Sequence, residues 1–448
     1  MNVSGLHVAV LGAGESGESA AKLLRILNAR VTILDSGSAE ALAPKIDRLT
    51  SLGINFLCGT AADSDATIYD LGILSPGIDP VVPLVKNFRA KKIELIGELE
   101  FADRVCGRPV VGITGTNGKT TTTQLVESML NAVGVKTVAC GNISPAFSAK
   151  ALEGRMLDVI TVELSSFQLE EIRHFRPCVA VWLGFASDHL DRYPDMESYF
   201  TAKLRIFENQ TEDDFAVVNL RDKLPPLKAR KITFSAYETG GDFELKDGVI
   251  IYHGKPVLAM ADTLLRGSHN AENLMAALGV GIALGLDIEK LAAPLCSYRA
   301  LPHRCELIRI VDGVDYVNDS KATNLDSLEK ALAGESRPVI LIAGGKDKGF
   351  EFDSVRDVVA DKCRCAILIG EMAERIEQMW SPKVRCINVG SSLERAISTA
   401  QSQARSGDIV LFSPGTSSFD MFKNYADRGN QFRQIVHQLK TTTTPIQS

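Results

Sequence analysis

Val111-Gly112-Ile113-Thr114-Gly115-Thr116-Asn117-Gly118-Lys119-Thr120-Thr121 is the stretch on which the fold of this chain turns. An apolar run leads in, which reads as a strand. Glycines then permit a tight turn, and a helix is predicted from about Thr121. A loop of this kind aims backbone N–H groups at phosphate oxygens, while the helix dipole favours negative charge. Lys119 would reach the β- and γ-phosphates, and the Thr120 hydroxyl would be offered to Mg²⁺. Ile113 stands where the commonest phosphate-loop spacing has its first glycine. The Gly-Lys-Thr ending still predicts a nucleoside triphosphate site built from Gly115, Thr116, Asn117, Gly118, Lys119, Thr120 and Thr121.

On either side of this unit, apolar runs alternate with amphipathic stretches of helical length, the pattern of α/β architecture with parallel sheets. A strand over Leu6–Leu11, a helix over Ser19–Asn28 and a strand over Val31–Leu34 open the chain. Beyond Arg299, Leu301 precedes Pro302 and is pushed away from helical geometry, which makes residues 298–303 a candidate hinge. An Asp312-Gly313 hairpin turn follows, then strands near Pro338–Ala343, Cys365–Ile369 and Asp408–Phe412. With 448 residues the chain exceeds one ordinary core. The division expected is 1–105, 106–302 and 303–440. The first and third domains are Rossmann-like and the central one is of the P-loop ATPase type. A polar tail, 441–448, is expected to be disordered.

A net charge of -6 gives no support to non-specific nucleic-acid binding. Nine cysteines, an odd number at scattered positions, fit reduced thiols rather than a disulfide framework. No apolar run reaches the roughly 18 residues of a membrane span. Residues Met1–Val10 lack the pattern of a signal peptide. The expectation is a cytoplasmic enzyme acting as a monomer, with no membrane partner.

Three further positions carry chemistry by themselves. Glu163 ends the apolar run Val159–Val162, and strand carboxyl ends face the ligand crevice of an open parallel sheet. A carboxylate there suits Mg²⁺, although a solvated strand-end glutamate reads equally well. His189 in Asp188-His189-Leu190-Asp191 follows another apolar run, Val179–Leu183; alone, it reads more readily as structural. Lys203 falls at helical spacing among Met196, Tyr199, Phe200, Ile206 and Phe207, inside an apolar stripe where unpaired lysines are rare. Its stem could snorkel to water. A desolvated amine instead has a lowered pKa and, when neutral, reacts with CO₂ to give a carbamate.

The phosphate loop resembles the one shared by Mur ligases and folylpolyglutamate synthetases, and Glu163-Leu164-Ser165-Ser166-Phe167-Gln168 resembles the D-glutamate-adding members of the Mur ligase family. The resemblance spans nearly the whole chain. It implies ATP-dependent activation of a carboxylate as an acyl phosphate, then capture by an amino acid's amine. The substrates implied are ATP, UDP-N-acetylmuramoyl-L-alanine and D-glutamate, for peptidoglycan precursor synthesis. Lys119, Glu163, His189 and Lys203 become catalytic candidates. Thr120, Glu163, His189 and carbamylated Lys203 would hold two Mg²⁺ ions. Asn270, Asn273, Arg304, Asp319 and Lys321 match nucleotide-side positions, with His303 near the nucleotide and hinge. Thr323, Lys348, Ser418 and Phe419 match D-glutamate contacts, and Lys348 is a cation suited to a carboxylate.

Gly12-Ala13-Gly14-Glu15-Ser16-Gly17, with Asp35 at the next strand end, fits a dinucleotide fingerprint and leaves a dehydrogenase as a rival reading. The family resemblance assigns this region to the UDP substrate: Gly14, Glu15, Ser16, Asp35, Ser36, Ser75 and Gly77, with Asn142 near the reacting phosphate. Members often carry a basic residue just after the position of Asp35, whereas Ser36-Gly37-Ser38 has none. Other rivals are a folylpolyglutamate synthetase and a non-catalytic nucleotide-binding relative.

Overall fold

The computed structural model describes residues 1–188, 192–299, 302–333, 335 and 337–441. Three sheets account for its strands. The first contains β1 (His7–Leu11), β2 (Arg30–Asp35), β3 (Asn55–Cys58), β4 (Leu71–Leu74) and β5 (Leu95–Gly97). Their order is β3-β2-β1-β4-β5, and every pair is parallel. The chain winds outward from β1 on one side and restarts with β4 on the other. Such a reversal opens a crevice at the strands' carboxyl ends, and Gly12 and Ser75 stand there.

The second sheet holds β6 (Val110–Thr114), β7 (Ala139–Gly141), β8 (Ile160–Glu163), β9 (Val179–Trp182), β10 (Phe215–Asn219) and β11 (Arg230–Ser235), then β12 (Phe243–Lys246), β13 (Val249–Tyr252) and β14 (Lys255–Ala259). β6 lies between β8 and β9, so the winding reverses at the end of β6, where the phosphate loop begins. β12 to β14 form an antiparallel ribbon on the far edge. The prediction of parallel sheets did not include it: two short turns at Asp247-Gly248 and His253-Gly254, all at positive φ, reverse the chain too sharply for a crossover helix.

The third sheet comprises β15 (Glu306–Val311), β16 (Val314–Asn318), β17 (Val339–Gly344), β18 (Cys363–Ile369), β19 (Cys386–Asn388) and β20 (Ile409–Phe412), in the order β15-β16-β20-β17-β18-β19. β15 and β16 pair antiparallel through Asp312 (φ 51°) and Gly313 (φ 75°), the two left-handed residues of a tight hairpin. The remaining pairs are parallel.

Two helices begin earlier than predicted, at Glu15 and Lys119 rather than Ser19 and about Thr121. In the second case left-handed Gly118 (φ 83°) feeds the helix directly, leaving no intervening turn. The first and second sheets share one core, in which Val10 and Ile33 join Phe147, Ile160 and Trp182. The third sheet's two faces pack within their own unit. Among the described residues no helix is long and apolar enough to cross a membrane. All nine cysteines are free. Ala300 and Leu301 of the candidate hinge, and residues 442–448 of the tail, lie outside the described residues.

Candidate functional site

The phosphate loop is held in shape from both sides. Gly115 (φ 151°) and Gly118 (φ 83°) take conformations that L side chains rarely adopt, and a Cβ on Gly118 would lie 2.4 Å from Asn273 Oδ1. Thr116 N–H donates to Gly184 O at 2.9 Å, tying the loop to the end of β9. Among the described residues no side chain caps the helix Lys119–Ala132. Lys119 Nζ folds back onto Gly115 O and Thr116 O, both at 2.9 Å.

Lys203 Nζ donates to the same Gly115 carbonyl at 2.9 Å. The residue is 1% exposed, so its stem does not snorkel. It sits on the last turn of the helix Met196–Leu204 with the Tyr199 ring 4.7 Å from its amine. Burial pushes its pKa well below the ordinary lysine value, and the charge of Lys119 pushes it further, against opposing pulls from Asp188 and Glu163. Burial likewise lowers Lys119, with Glu163 and Asp188 acting against it. A buried amine with this environment is disposed to be neutral.

Glu163 ends β8 and is 2% exposed. A capping box immediately after it, in which Ser165 Oγ accepts from Gln168 N–H, turns the chain away and fixes the strand end. Its Oε1 accepts from Asn142 Nδ2 at 2.8 Å, while Oε2 is buried and has no hydrogen-bond partner among the described residues. An unmatched buried carboxylate oxygen is costly unless something cationic completes it. Thr120, Asn142, Arg304, Lys321 and Tyr425 line the same cleft as Glu163. Among the described residues no three His, Cys, Asp or Glu side chains converge; His189 falls outside them. Mg²⁺ keeps several waters and needs only one or two protein carboxylates, so Glu163 Oε2 and the Thr120 hydroxyl fit such an ion.

A neighbouring cleft runs between the central and third units and is lined by Asn117, Gly118, Thr121, Asn270, Asn273 and Arg304, among others. Asn273 Oδ1 accepts from Thr122 Oγ1 at 3.2 Å, and its Nδ2 donates to Asn270 Oδ1 at 3.1 Å. His269, which the sequence analysis passed over, lines this cleft too; burial pushes its pKa down to about 4. From the third unit come Asp319 and Lys321. Asp319 accepts from Cys305 N–H (3.2 Å) and Ser413 Oγ (2.8 Å), and burial raises its pKa to about 6. Lys321 lies 3.8 Å from the Tyr425 ring centroid; burial, then Arg304, lowers it to about 8. His303 is buried with φ 69°, and its carbonyl accepts from Lys321 N–H at 3.0 Å.

Contacts across this cleft bind the third unit to the phosphate loop. Asn117 Nδ2 donates to Asp326, and Asn117 Oδ1 accepts from Ser327 Oγ at 2.9 Å. Lys348 Nζ meets Asp188 Oδ1 at 3.1 Å, and Asn324 Nδ2 meets Asp188 Oδ2 at 3.1 Å. Thr323 is half-buried beside Asn324, Ser418 is buried, and Phe419 is 67% exposed. Buried Arg428, absent from the sequence reading, donates to Ser320 O (2.8 Å), Thr416 O (3.2 Å) and Ser417 O (3.3 Å), joining two of the expected amino-acid loops. Its signal was present: an arginine on the inward face of an otherwise apolar helical pattern.

Gly14, Glu15, Ser16, Asp35, Ser36, Ser75 and Gly77 gather at the first sheet's crevice, apart from the phosphate loop. Asn142 is not among them; it stands beside Glu163. Both carboxylate oxygens of Asp35 are engaged, by Ala13 N–H at 2.7 Å and Gly37 N–H at 2.8 Å. A dinucleotide fingerprint uses this acid for ribose hydroxyls, so the engagement weakens the dehydrogenase reading. Lys45 Nζ donates to Ala13 O at 2.7 Å and brings a cation to this loop.

Residues 113–281 match the Mur ligase middle domain, and residues 303–415 match the Mur ligase, glutamate ligase domain. UDP-N-acetylmuramoylalanine--D-glutamate ligase of Geotalea uraniireducens (strain Rf4) is 39% identical, covering 98% of this chain and 99% of that protein. The protein of the same name from Alkaliphilus oremlandii (strain OhILAs) is 38% identical, covering 98% and 100%. Among solved structures, UDP-N-acetylmuramate-alanine ligase MurC from Thermotoga maritima superposes with a TM-score of 0.61 at 18% identity, covering 97% of this chain and 100% of that one. MurF ligase from the same organism, in complex with ADP, gives 0.60 at 18% identity, covering 91% and 96%. With its strand-to-helix phosphate loop, its three α/β units and these full-length relatives, the chain belongs to the Mur ligase family of ATP-dependent amide-bond-forming ligases.

Proposed function

We propose that this protein joins D-glutamate to UDP-N-acetylmuramoyl-L-alanine at the expense of ATP. The observation that carries the chemistry is Glu163: a buried strand-end carboxylate with one unmatched oxygen, in the cleft that also holds Thr120, Arg304 and Lys321. The choice of substrates rests on the relatives of that name, which align along nearly the full chain.

In this reading the loop Gly115–Thr121 cradles the ATP phosphates through its N–H groups. Lys119 leaves the Gly115 and Thr116 carbonyls to meet the β- and γ-phosphates. Asn270 and Asn273 shape the nucleotide side, with Arg304, Asp319 and Lys321 closing from the third unit. The substrate carboxylate takes up the γ-phosphate in line, giving an acyl phosphate and ADP. The D-glutamate amine then attacks the acyl carbon, loses a proton, and phosphate departs. Two Mg²⁺ ions, when bound, would spread charge on the transferring phosphate. Thr120, Glu163, His189 and Lys203 are their proposed holders. Lys203 takes that part as a carbamate: its neutral amine adds to CO₂, forming an N–C bond and releasing a proton. Thr323, Lys348, Ser418 and Phe419 would receive D-glutamate. Gly14, Glu15, Ser16, Asp35, Ser36, Ser75, Gly77 and Asn142 would take the UDP substrate, with Lys45 a cation near its loop.

Phosphate release from ATP tests this directly, with UDP-N-acetylmuramoyl-L-alanine, Mg²⁺ and bicarbonate present. Release with D-glutamate and not L-glutamate is the expected result. Release with L-glutamate and a folate instead would transfer the chain's chemistry to the synthetase rival.

A further inference from the structure

Asp188 follows β9 on the central unit, yet two side chains of the third unit meet its carboxylate. Its Oδ1 lies 3.1 Å from Lys348 Nζ, and its Oδ2 accepts from Asn324 Nδ2 at 3.1 Å. The Asp188 and Lys348 side chains are 11% and 23% exposed, so the pair is largely withdrawn from water. Lys348 is the cation that the proposed function gives to a carboxylate of the incoming amino acid. That amino acid is a zwitterion. It brings an ammonium group as well as carboxylates, and a dry cleft must match both signs, because an unpaired buried charge is costly.

The Asp188–Lys348 pair presents those two charges at one place, one from the central unit and one from the third. We infer that Asp188 is the ammonium subsite for the amino-acid substrate, and that its ion pair with Lys348 is the resting partner arrangement. On binding, the flexible lysine stem swings so that Lys348 meets a substrate carboxylate, and the substrate ammonium takes its place at Asp188. Asn324, already bonded to the second oxygen, keeps the carboxylate aimed. When product leaves, the pair re-forms and neither charge stays unmatched. Glu163 is the poorer candidate for this part, since it lines a cleft with Thr120 and Arg304 on the phosphate side. This inference rests on the proposed function and adds to it the residue that reads the amine.

The test compares D-glutamate with glutarate, which has both carboxylates and no amine, in wild type and Asp188→Asn. In the variant the KM for D-glutamate should rise roughly ten- to a hundredfold, the loss of one charge-assisted bond. The inhibition constant of glutarate should hold or fall, since it never used that bond and Lys348 no longer has to leave a buried carboxylate unpaired to meet it. The KM for ATP should hold, which also reports that the variant is folded. Lys348→Met should weaken D-glutamate and glutarate alike, and Asp188→Glu should recover part of the D-glutamate preference. Equal losses for the two ligands in Asp188→Asn, or an unchanged KM for D-glutamate, would overturn the assignment. A wild-type protein that does not turn over D-glutamate would instead bring down the proposed function, and is seen before any variant is made.

Discussion

Gly429 sits in the helix Tyr425–Gln438, where ordinary helical geometry would accept alanine, yet a Cβ there would lie 2.2 Å from His303 Nδ1 and 2.7 Å from His303 Cγ. That ring cannot retreat freely. Its Nδ1 is bonded to Asn318 Nδ2 at 2.9 Å, and the same Nδ2 donates to Gly429 O at 3.0 Å. Gly429→Ala should therefore destabilise the third unit by about 2 kcal/mol, the usual cost of overpacking. His303→Ala should cost about 1–2 kcal/mol through the lost bond and packing. Combined, the two should cost little more than either alone, a coupling on the order of 1–2 kcal/mol, because removing the ring removes the clash. Urea unfolding followed by Trp380 fluorescence in a Trp182→Phe background reports this unit alone, since the chain has two tryptophans and Trp380 lies in the third unit's core. Shifts in midpoint at constant slope give the energies. Because His303 O holds Lys321 N–H and Arg304 is the next residue, Gly429→Ala should also raise the KM for ATP. Additivity of the two substitutions within about 0.5 kcal/mol would refute the packing argument.

Lys119→Ala should abolish phosphate release while leaving the unfolding midpoint within the range of surface substitutions; normal turnover in that variant would remove the phosphate loop from the mechanism. Stripping Mg²⁺ with a chelator should stop turnover, with recovery on adding Mg²⁺ back, and activity that persists in chelator would contradict the role given to Glu163. For Asp319, whose folded pKa of about 6 exceeds the model-peptide 3.8, the folded state binds the extra proton between those values, so wild-type stability falls as pH rises through about 4 to 6. Asp319→Asn has no such titration and should gain on the wild type by up to about 3 kcal/mol between pH 4 and pH 7. A pH-independent difference between the two would show that the carboxyl is not held in this way.

The parts legible from sequence were those whose chemistry and fold share one local signal. Gly115 to Thr121 reads as a phosphate loop because the same residues make the turn, start the helix and aim the amides. Lys203 was legible for a different reason: an ammonium at apolar helical spacing is a contradiction that the fold must resolve, and it is resolved here by burial onto Gly115 O. The ribbon β12 to β14 was missed because its two positive-φ turns interrupt an α/β pattern without leaving a helix between strands.

Residues whose meaning depends on a partner distant in the chain stayed hidden. Asp188 and Lys348 are 160 positions apart and Asn117 and Ser327 are 210 apart; each looks like an ordinary loop residue until the cleft brings it to its counterpart. All of these hidden contacts join the third unit to the central one, whereas the first and central sheets share a continuous apolar core. An interface made of ion pairs and amide bonds rearranges at lower cost than one made of packed aliphatic side chains, because water and ligands can replace its partners one by one. The same chemistry that makes the cleft hard to read from sequence lowers the cost of parting its walls.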